Sequence, residues 1–306
     1  MLSTDQYGDG AVIAAYPNLE PRFSAKYELN DQSSIKLSYN RNAQYIHLLS
    51  NTAASIPLDI WTPSSNNIKP QIANQVALGY FRNFRDNNYE VSAEGFYKLM
   101  ENQLDFVPYA NLLINDTIEK SVLAGKGRAY GAEFYIRKTK GKLTGWLSYT
   151  LSRTERKVDG VSMNQWYASR FDKLHNVTLV GIYQLKKRMD LSCNFAFGSG
   201  TPMTIGSQKF YIDGVMVGYD YSEKRSNYRI PPYFRIDMAL TIKNKKKNED
   251  QRWEGEWVFS VYNLTNRSNP FTVYVIQDPY NSSQAQGFRF SIFASVIPGI
   301  TYNFKF

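Results

Sequence analysis

The sequence predicts an all-β protein, an antiparallel transmembrane β-barrel with about eleven strands present. Three observations predict it. Residues 299–306 place Ile300, Tyr302, Phe304 and Phe306 on one strand face and polar side chains on the other. Similar alternating segments recur along the chain. The connections between those segments are short and long in strict alternation.

The C-terminal segment is the most informative. Soluble proteins rarely end on an amphipathic strand, because termini fray and exposed rings gain nothing there. In a membrane barrel, such a strand closes the sheet with its apolar side chains toward lipid and its polar ones toward the lumen. We therefore interpret Ile300, Tyr302, Phe304 and Phe306 as a membrane-insertion and closing strand. The alternative is an ordinary edge strand of a soluble β-protein.

The composition supports this interpretation. Aromatic residues make up 15% of the 306 residues, with 23 Tyr and 18 Phe, yet the mean hydropathy is −0.44. No apolar run approaches the ~20 residues that a membrane helix requires, which excludes a helical membrane protein. A single cysteine, Cys193, excludes an internal disulfide and a cysteine-built zinc site. We expect no cofactor and no metal.

The net charge of +9 does not indicate a nucleic-acid partner. A nucleic-acid surface would cluster Lys and Arg with aromatic residues between them. Here the densest basic groups are short and fall between predicted strands, at residues 138–142, 186–188 and 243–247. Charge in such turns is ordinarily solvated, so we expect no nucleic-acid binding.

The predicted strands alternate apolar and polar side chains, as expected where one sheet face meets lipid and the other water. Leu147, Leu191 and Ile236, for example, should face lipid, and their neighbours Ser148, Ser192 and Asp237 should face the lumen. In chain order the segments are 23–29, 35–39, 76–80, 89–97, 130–136, 143–151, 177–185, 189–197, 234–242, 257–261 and 300–306.

Five of the connections are short turns rich in Asn, Asp, Gly or Lys, near Asp31, Asn87, Lys140, Lys187 and Lys246. The others are long and polar, and we predict them to be loops: 1–20, 46–70, 102–126, 155–170, 199–232 and 265–287. Outer-membrane barrels have short periplasmic turns and long extracellular loops. A soluble sandwich has no reason to place every long connection at one end, and a propeller or solenoid would show a repeat.

The strand count adds an expectation about the whole chain. Eleven is odd, whereas single-chain bacterial barrels have an even number of strands. Tracing the alternation backward from the final strand, the first strand also runs inward. Residues 1–6 do not resemble a secretory signal. We therefore expect residues 1–306 to be the C-terminal part of a longer barrel, and an open curved sheet when isolated.

Several motifs resemble TonB-dependent outer-membrane receptors, particularly Bacteroidetes-type members. Val-Tyr-Asn-Leu-Thr-Asn at 261–266 is similar to the asparagine-leucine turn that precedes their last strand. No single motif is diagnostic, but their order covers most of the chain from about residue 20 onward. The other similar stretches are 125–134, 145–150, 171–175, 198–204, 229–237 and 297–306.

The resemblance implies a twenty-two-stranded barrel in the cell outer membrane, plugged by an N-terminal domain that this sequence lacks. The eleven predicted strands would be its second half. It implies active uptake of a scarce nutrient: an iron chelate, a corrinoid, a peptide or a glycan. The implied partners are the TonB complex, reached through the missing N-terminal region, the barrel-assembly machinery, reached through the C-terminal strand, and outer-membrane lipid.

Aromatic residues in the predicted loops are the candidate ligand contacts, since rings commonly line binding sites. They are Trp61, Tyr109, Trp166, Tyr219 and Tyr228. The alternative is that such rings pack within loops or belong to the aromatic belt at the membrane interface.

We predict no catalytic residues. Asp172 and His175 lie near each other in sequence, but no nucleophile motif accompanies them, so we expect them to orient loop hydrogen bonds. The Gly-Lys-Gly-Arg stretch at 125–128 lacks the ending of a phosphate-binding loop. The alternative function class is an outer-membrane barrel without active transport, such as an adhesin, an assembly platform or a membrane-embedded hydrolase.

Overall fold

The computed structural model describes residues 2–3, 12–50, 59–107, 118–205, 208–212, 215–219, 223–245, 254–277, 285–293 and 295–305. These residues are almost entirely β, with two short 3-10 segments at Ile118–Ser121 and Ser162–Asn164. In this described part, no helix is long and apolar enough to cross a membrane.

The strands are, in chain order, β1 (Leu2–Ser3), β2 (Val12–Ala14), β3 (Arg22–Asn30), β4 (Ser33–Gln44), β5 (Ile46–Ser50), β6 (Asp59–Pro63), β7 (Gln71–Phe84), β8 (Tyr89–Phe106), β9 (Val122–Lys138), β10 (Leu143–Lys157), β11 (Tyr167–Ala168), β12 (His175–Lys186), β13 (Met189–Gly198), β14 (Pro202–Met203), β15 (Gln208–Ile212), β16 (Val215–Tyr219), β17 (Tyr228–Arg229), β18 (Tyr233–Lys243), β19 (Glu254–Tyr262), β20 (Thr272–Gln277), β21 (Ala285–Phe290) and β22 (Ile297–Lys305).

One large antiparallel sheet organises the fold. Its eleven successive neighbours run β3-β4-β7-β8-β9-β10-β12-β13-β18-β19-β22, and the short β11 pairs with the end of β10. Within the described residues β3 and β22 are the two edges and do not pair with each other, so the sheet is open. The predicted all-β, antiparallel class and the count of eleven strands are confirmed.

The register keeps apolar side chains in line across the sheet. Because side chains alternate between faces, a shift of one residue in any strand pair would break this line. We call the face of this row the outer face. The row crosses five neighbouring strands at Leu37, Leu78, Gly95, Ala132 and Leu151.

The opposite face, which we call the inner face, is lined by polar and small residues. The adjacent row crosses the same strands at Lys36, Gly79, Glu94, Glu133 and Thr150. The same pairing places the predicted lipid-facing and lumen-facing residues on opposite faces, and the contact of the outer face with lipid stays a prediction. Outer-face rows contain Leu147, Leu191 and Ile236, and inner-face rows contain Ser148, Ser192 and Asp237.

The short turns near Asp31, Asn87, Lys140 and Lys187 lie together at one end of the sheet, because backbone hydrogen bonds link each turn to the next hairpin. The turn predicted near Lys246 lies outside the described residues. The Asn83 N–H donates to the Gln32 carbonyl at 2.8 Å, and the Thr139 N–H donates to the Asn88 carbonyl at 2.9 Å. Equivalent bonds run from Gln184 to Lys142 at 2.8 Å and from Lys243 to Arg188 at 2.9 Å. All long connections therefore leave from the opposite end, which we call the loop end.

The long connections differ from the prediction of plain loops. Predicted loop 46–70 contains the β5–β6 pair, 199–232 contains β14–β17 and β15–β16, and 265–287 overlaps β20–β21. Residues 1–20 contain the β1–β2 pair. Predicted loop 102–126 shrinks to 107–121, because β8 and β9 extend and pair beyond their apolar stretch. These pairs were missed because their strands are only two to six residues long and form two-stranded sheets apart from the large sheet.

The predicted asparagine-leucine turn is built around a buried side chain. Asn263 is 1% exposed and has a φ of 53°, a conformation that asparagine tolerates better than most residues. Its Oδ1 accepts from the Arg267 N–H at 3.2 Å, and its Nδ2 donates to the Arg267 carbonyl at 3.1 Å and the Ser295 carbonyl at 3.3 Å. The side chain thus ties the end of β19 to the approach to β22.

Candidate functional site

Three long connections meet in a buried cluster at the loop end. Tyr167 of β11 donates its hydroxyl to the Asp105 carboxylate at 2.5 Å. Arg225 NH2 lies 3.7 Å from the same carboxylate and donates to the Phe106 carbonyl at 2.9 Å. Burial and the Asp105 charge raise the pKa of Tyr167, so its hydroxyl stays protonated as a donor. Removing any one of the three side chains would leave the buried polar groups of the others without hydrogen-bond partners, which is energetically costly. The cluster therefore holds these three connections together.

A second cluster surrounds Asp172, whose side chain is fully buried. Its Oδ1 accepts from the Thr154 N–H at 2.7 Å, and its Oδ2 accepts from Arg229 NH2 at 2.5 Å. Arg229 NH1 also donates to the Gly200 carbonyl at 2.7 Å. The expectation that Asp172 orients loop hydrogen bonds is confirmed. His175 starts β12, and its Nδ1 lies 2.9 Å from the Tyr149 hydroxyl.

The long connection 46–70 is held to the sheet by apolar packing. Leu49, Ile68, Leu104 and Phe106 form a buried cluster between the β5–β6 hairpin region and the end of β8. Beside this hairpin, buried His47 places Nε2 at 2.8 Å from the Ser64 hydroxyl, and burial lowers the pKa of His47. The imidazole is therefore neutral near pH 7. The described parts of the long connections 46–70, 102–126, 155–170 and 199–232 thus form one interlocked wall, which we call the rim.

Sequence reasoning missed the residues that build the rim. Asp105 and Arg225 are 120 positions apart, and neither belongs to a motif or an alternating segment. Their partnership depends on which loops the sheet brings together, so no local pattern signals it. The only local hint was Asp172, which lies shortly before β12.

Three of the predicted ligand-facing aromatics have described side chains, and all three are exposed. Trp61 lies in β6, Tyr228 lies in β17, and Trp166 precedes β11 with its ring 4.3 Å from the Arg128 guanidinium carbon. Within the described residues, no ring contact joins any two of them. Tyr219 is placed by its backbone in β16, and Tyr109 lies outside the described residues. Their role in ligand binding stays a prediction.

The predicted closing strand exists as β22. Ile300, Tyr302 and Phe304 share one face and pair with Phe259, Trp257 and Gly255 of β19. The Tyr302 and Trp257 rings are 4.7 Å apart between centroids. Phe306 lies outside the described residues. A role of this strand in membrane insertion stays a prediction.

The inner face offers charge without a metal-binding arrangement. Glu94 lies directly opposite Glu133, and Arg137 NH1 is 4.0 Å from Glu90. Among the residues that the structure describes, no group of three or more His, Cys, Asp or Glu side chains could hold a metal ion. These side chains line a polar surface that suits contact with water or with protein inside a barrel.

The sequence matches the family described as TonB dependent receptor-like, beta-barrel, over residues 3–264. That match spans most of the chain and all but the last strand of the large sheet. The family is one of transport receptors rather than enzymes. No curated protein matches this chain at a significant level.

Solved structures with the same fold include two receptors and one transporter. The ferric-catecholate import receptor Fiu from E. coli K12 is 18% identical with a TM-score of 0.52, over 93% of this chain and 34% of that one. The ferric citrate transporter FecA, in its unliganded form, is 16% identical with a TM-score of 0.58, over 94% and 38%. The siderophore receptor PiuA from Acinetobacter baumannii is 14% identical with a TM-score of 0.58, over 93% and 35%.

This chain therefore spans only about a third of the length of the receptors that it resembles. At these identities the similarity establishes the fold, whereas the family match establishes membership. With its open antiparallel sheet, its apolar outer face and its long connections at one end, the chain belongs to the outer-membrane β-barrel family of TonB-dependent receptors.

Proposed function

We propose that this chain forms part of a receptor that binds a scarce nutrient at its loop end and takes it up actively through the barrel. The observation that carries the proposal is the rim. The Asp105–Tyr167–Arg225 and Asp172–Arg229 clusters fix the long connections in place at one end of the sheet. Pre-ordered loops lose little conformational entropy when a ligand binds, which favours affinity for a dilute nutrient.

We further propose that residues 1–306 are the C-terminal barrel section of a longer protein. In a membrane, unpaired backbone groups along the edges β3 and β22 could not be satisfied by lipid. Further strands of the same protein would pair with both edges and close the barrel. In that arrangement a plug domain would fill the lumen and engage the TonB complex, and the barrel-assembly machinery would receive the chain through β22.

The proposal covers four classes of nutrient. An iron chelate, a corrinoid, a peptide and a glycan are all open, and the Bacteroidetes-type subdivision stays a prediction. Two of the three similar proteins are named for ferric compounds and the third for a siderophore, so ferric chelates are the first class to test. Exposed rings at Trp61 and Tyr228 are the ligand contacts that we propose, together with Tyr109, Trp166 and Tyr219.

The test compares cells that have the whole protein with cells from which its gene has been deleted. Each receives a panel of radiolabelled ferric chelates, corrinoids, peptides and glycans, with and without a protonophore. We expect one class to bind and accumulate only in cells with the protein, and the protonophore to abolish accumulation while surface binding remains. Complementation with a Trp61→Ala, Tyr228→Ala protein should weaken that binding.

The alternative class predicts a different result. An adhesin or assembly platform would support no accumulation of any panel member, and a membrane-embedded hydrolase would release product without needing the proton gradient. Either outcome in cells with confirmed surface expression would contradict active uptake.

A further inference from the structure

The outer face carries an open apolar groove on the loop-end side of the sheet. It measures about 730 Å³ and is lined by residues of β7, β8, β9 and β10, with Leu174 also in its lining. Its floor is Gly95 opposite Ala132, between Leu78 and Leu151 in the same row. All four strands have both neighbours in the sheet, so the groove does not depend on the open edges.

Small residues in the floor make the groove, and large rings bound it. A methyl group added at Gly95 would meet nothing closer than the Gly131 carbonyl oxygen at 3.9 Å. One row nearer the loop end, the Tyr97 and Tyr130 rings stack with centroids 6.1 Å apart. Tyrosine is typical of the interface where hydrocarbon gives way to headgroups. The stacked pair therefore marks the depth at which headgroups begin.

Cationic side chains continue the outer face beyond that aromatic pair. Tyr130 pairs with Arg153, and Arg128 and Lys126 follow on the same face of β9. Lys157 is directly opposite Lys126, and both lysines are exposed. At ~3.3 Å per residue, Arg128 lies ~13 Å along the strand from the groove floor at Ala132.

The acids nearby leave this cluster positive. Glu155 is opposite Arg128, and Glu101 follows Tyr97 on the same face of β8. Four cations, Lys126, Arg128, Arg153 and Lys157, against these two acids leave a net charge of +2 (four minus two). Asp172 on the rim lies 2.5 Å from Arg229 and 3.6 Å from Arg153, and adding Asp172 together with Arg229 to the count leaves the net charge at +2.

Glu155 also orients the arginines. Its Oε2 is 2.7 Å from Arg128 NH2, and its Oε1 is 3.4 Å from Arg153 Nε. Trp166 covers the other side of the Arg128 guanidinium at 4.3 Å. A guanidinium has five N–H donors, more than one carboxylate accepts, so an ordered arginine pair can still donate to a phosphate.

We propose that this groove and cation cluster bind one outer-leaflet lipid that has a phosphorylated headgroup. An acyl chain occupies the groove over Gly95 and Ala132, and the phosphate meets Lys126, Arg128, Arg153 and Lys157. Trp166, predicted from sequence as a ligand contact, lies beside the headgroup in this arrangement. Charge complementarity favours such a lipid over a second copy of this chain, since two clusters of net charge +2 would repel each other.

The experiment titrates the whole protein, purified from outer membranes and stripped of lipid, with three probes in detergent. They are phosphorylated lipid A, the same lipid A after dephosphorylation, and inorganic phosphate. Native mass spectrometry measures the bound fraction. We expect one phosphorylated lipid to bind per protein, with much weaker binding of the dephosphorylated lipid and of inorganic phosphate.

Two variants separate the two parts of the site. Gly95→Leu fills the groove and should weaken lipid binding at least about tenfold, because it displaces the acyl chain. Lys126→Gln with Lys157→Gln should weaken it by roughly thirtyfold, since each surface cation contributes about a factor of five to anionic-lipid affinity. The matched control is Gly181→Leu, on the same outer face but outside the groove, where an added Cβ meets nothing within 4 Å. It should bind as the parent does.

Equal affinity for dephosphorylated lipid, or for inorganic phosphate, would overturn the proposal. So would a parent that is dimeric and becomes monomeric in Gly95→Leu, since a second copy would then occupy the groove. Should Gly95→Leu fail to fold, the lysine variant decides, because both side chains are exposed. Unchanged lipid binding in that variant would also overturn it.

Discussion

Replacing Gly145 with alanine should abolish most of the folded barrel. Gly145 has a φ of 148°, which side chains rarely adopt, and a Cβ built there would lie 2.1 Å from the Val180 carbonyl oxygen of the neighbouring strand. That atom belongs to the backbone and cannot rotate away. Backbone strain and overpacking each cost about 1–3 kcal/mol, so we expect a loss of about 2–6 kcal/mol.

The matched control is the glycine directly across the strand pair. Gly181 faces Gly145 in the register, and a Cβ added there meets nothing within 4 Å. Gly181→Ala should therefore change stability by less than about 0.5 kcal/mol. Urea titration of the whole protein, refolded in detergent, compares the two midpoints. Similar midpoints would contradict the close approach of β10 and β12 at this position.

Placing arginine at Met238 should also destabilise the barrel strongly. Met238 is central in β18, and its row on the outer face contains Cys193 and Val261. In the middle of a bilayer, a lipid-facing arginine costs about 2–4 kcal/mol. We therefore expect Met238→Arg to lower both the heat-resistant folded fraction and the amount of protein in the outer membrane.

The control moves the same arginine by one residue. Ala239 faces the inner side between Ser192 and Ser260, where small polar neighbours leave room for a hydrated guanidinium. Ala239→Arg should keep most of the folded fraction. Should the two variants lose folded protein equally, the assignment of the outer face to lipid would be wrong.

Much of the large sheet could be predicted because its strands and short turns leave signals in neighbouring residues of the sequence. A strand between lipid and water must alternate, so Leu147 against Ser148 or Leu191 against Ser192 reveals both the strand and its faces. The short turns carry their own signals in Asn, Asp, Gly and Lys. The pairing order could then be predicted, because consecutive antiparallel strands usually lie next to each other in the sheet.

The rim and the groove could not be predicted in this way. Both depend on residues that are distant in sequence, such as Asp105 with Arg225 or Gly95 with Ala132, whose proximity is set by register. Strands β5, β6, β15 and β16 are short, with five residues each, and pair apart from the large sheet, so no long alternating segment marks them. In the sequence, Gly145 is simply a small residue within an alternating strand. The need for glycine there becomes visible only from the close approach of the Val180 backbone on the neighbouring strand.

The most direct test of the central claim, that this sheet is an open section of a larger barrel, is cysteine cross-linking across its edges. The whole protein is used with Cys193→Ser. Lys26→Cys with Lys36→Cys is the positive control, since these inner-face residues of β3 and β4 are directly opposite. The test pairs combine Lys26→Cys with a cysteine at Thr301, Asn303 or Lys305 on β22.

We predict that a short thiol cross-linker joins the control pair efficiently and joins none of the three test pairs, because other strands separate β3 from β22 in the closed barrel. Efficient cross-linking of Lys26→Cys to any of the β22 positions, in a heat-resistant monomer, would contradict this account. It would show that the eleven strands close on themselves as a complete small barrel.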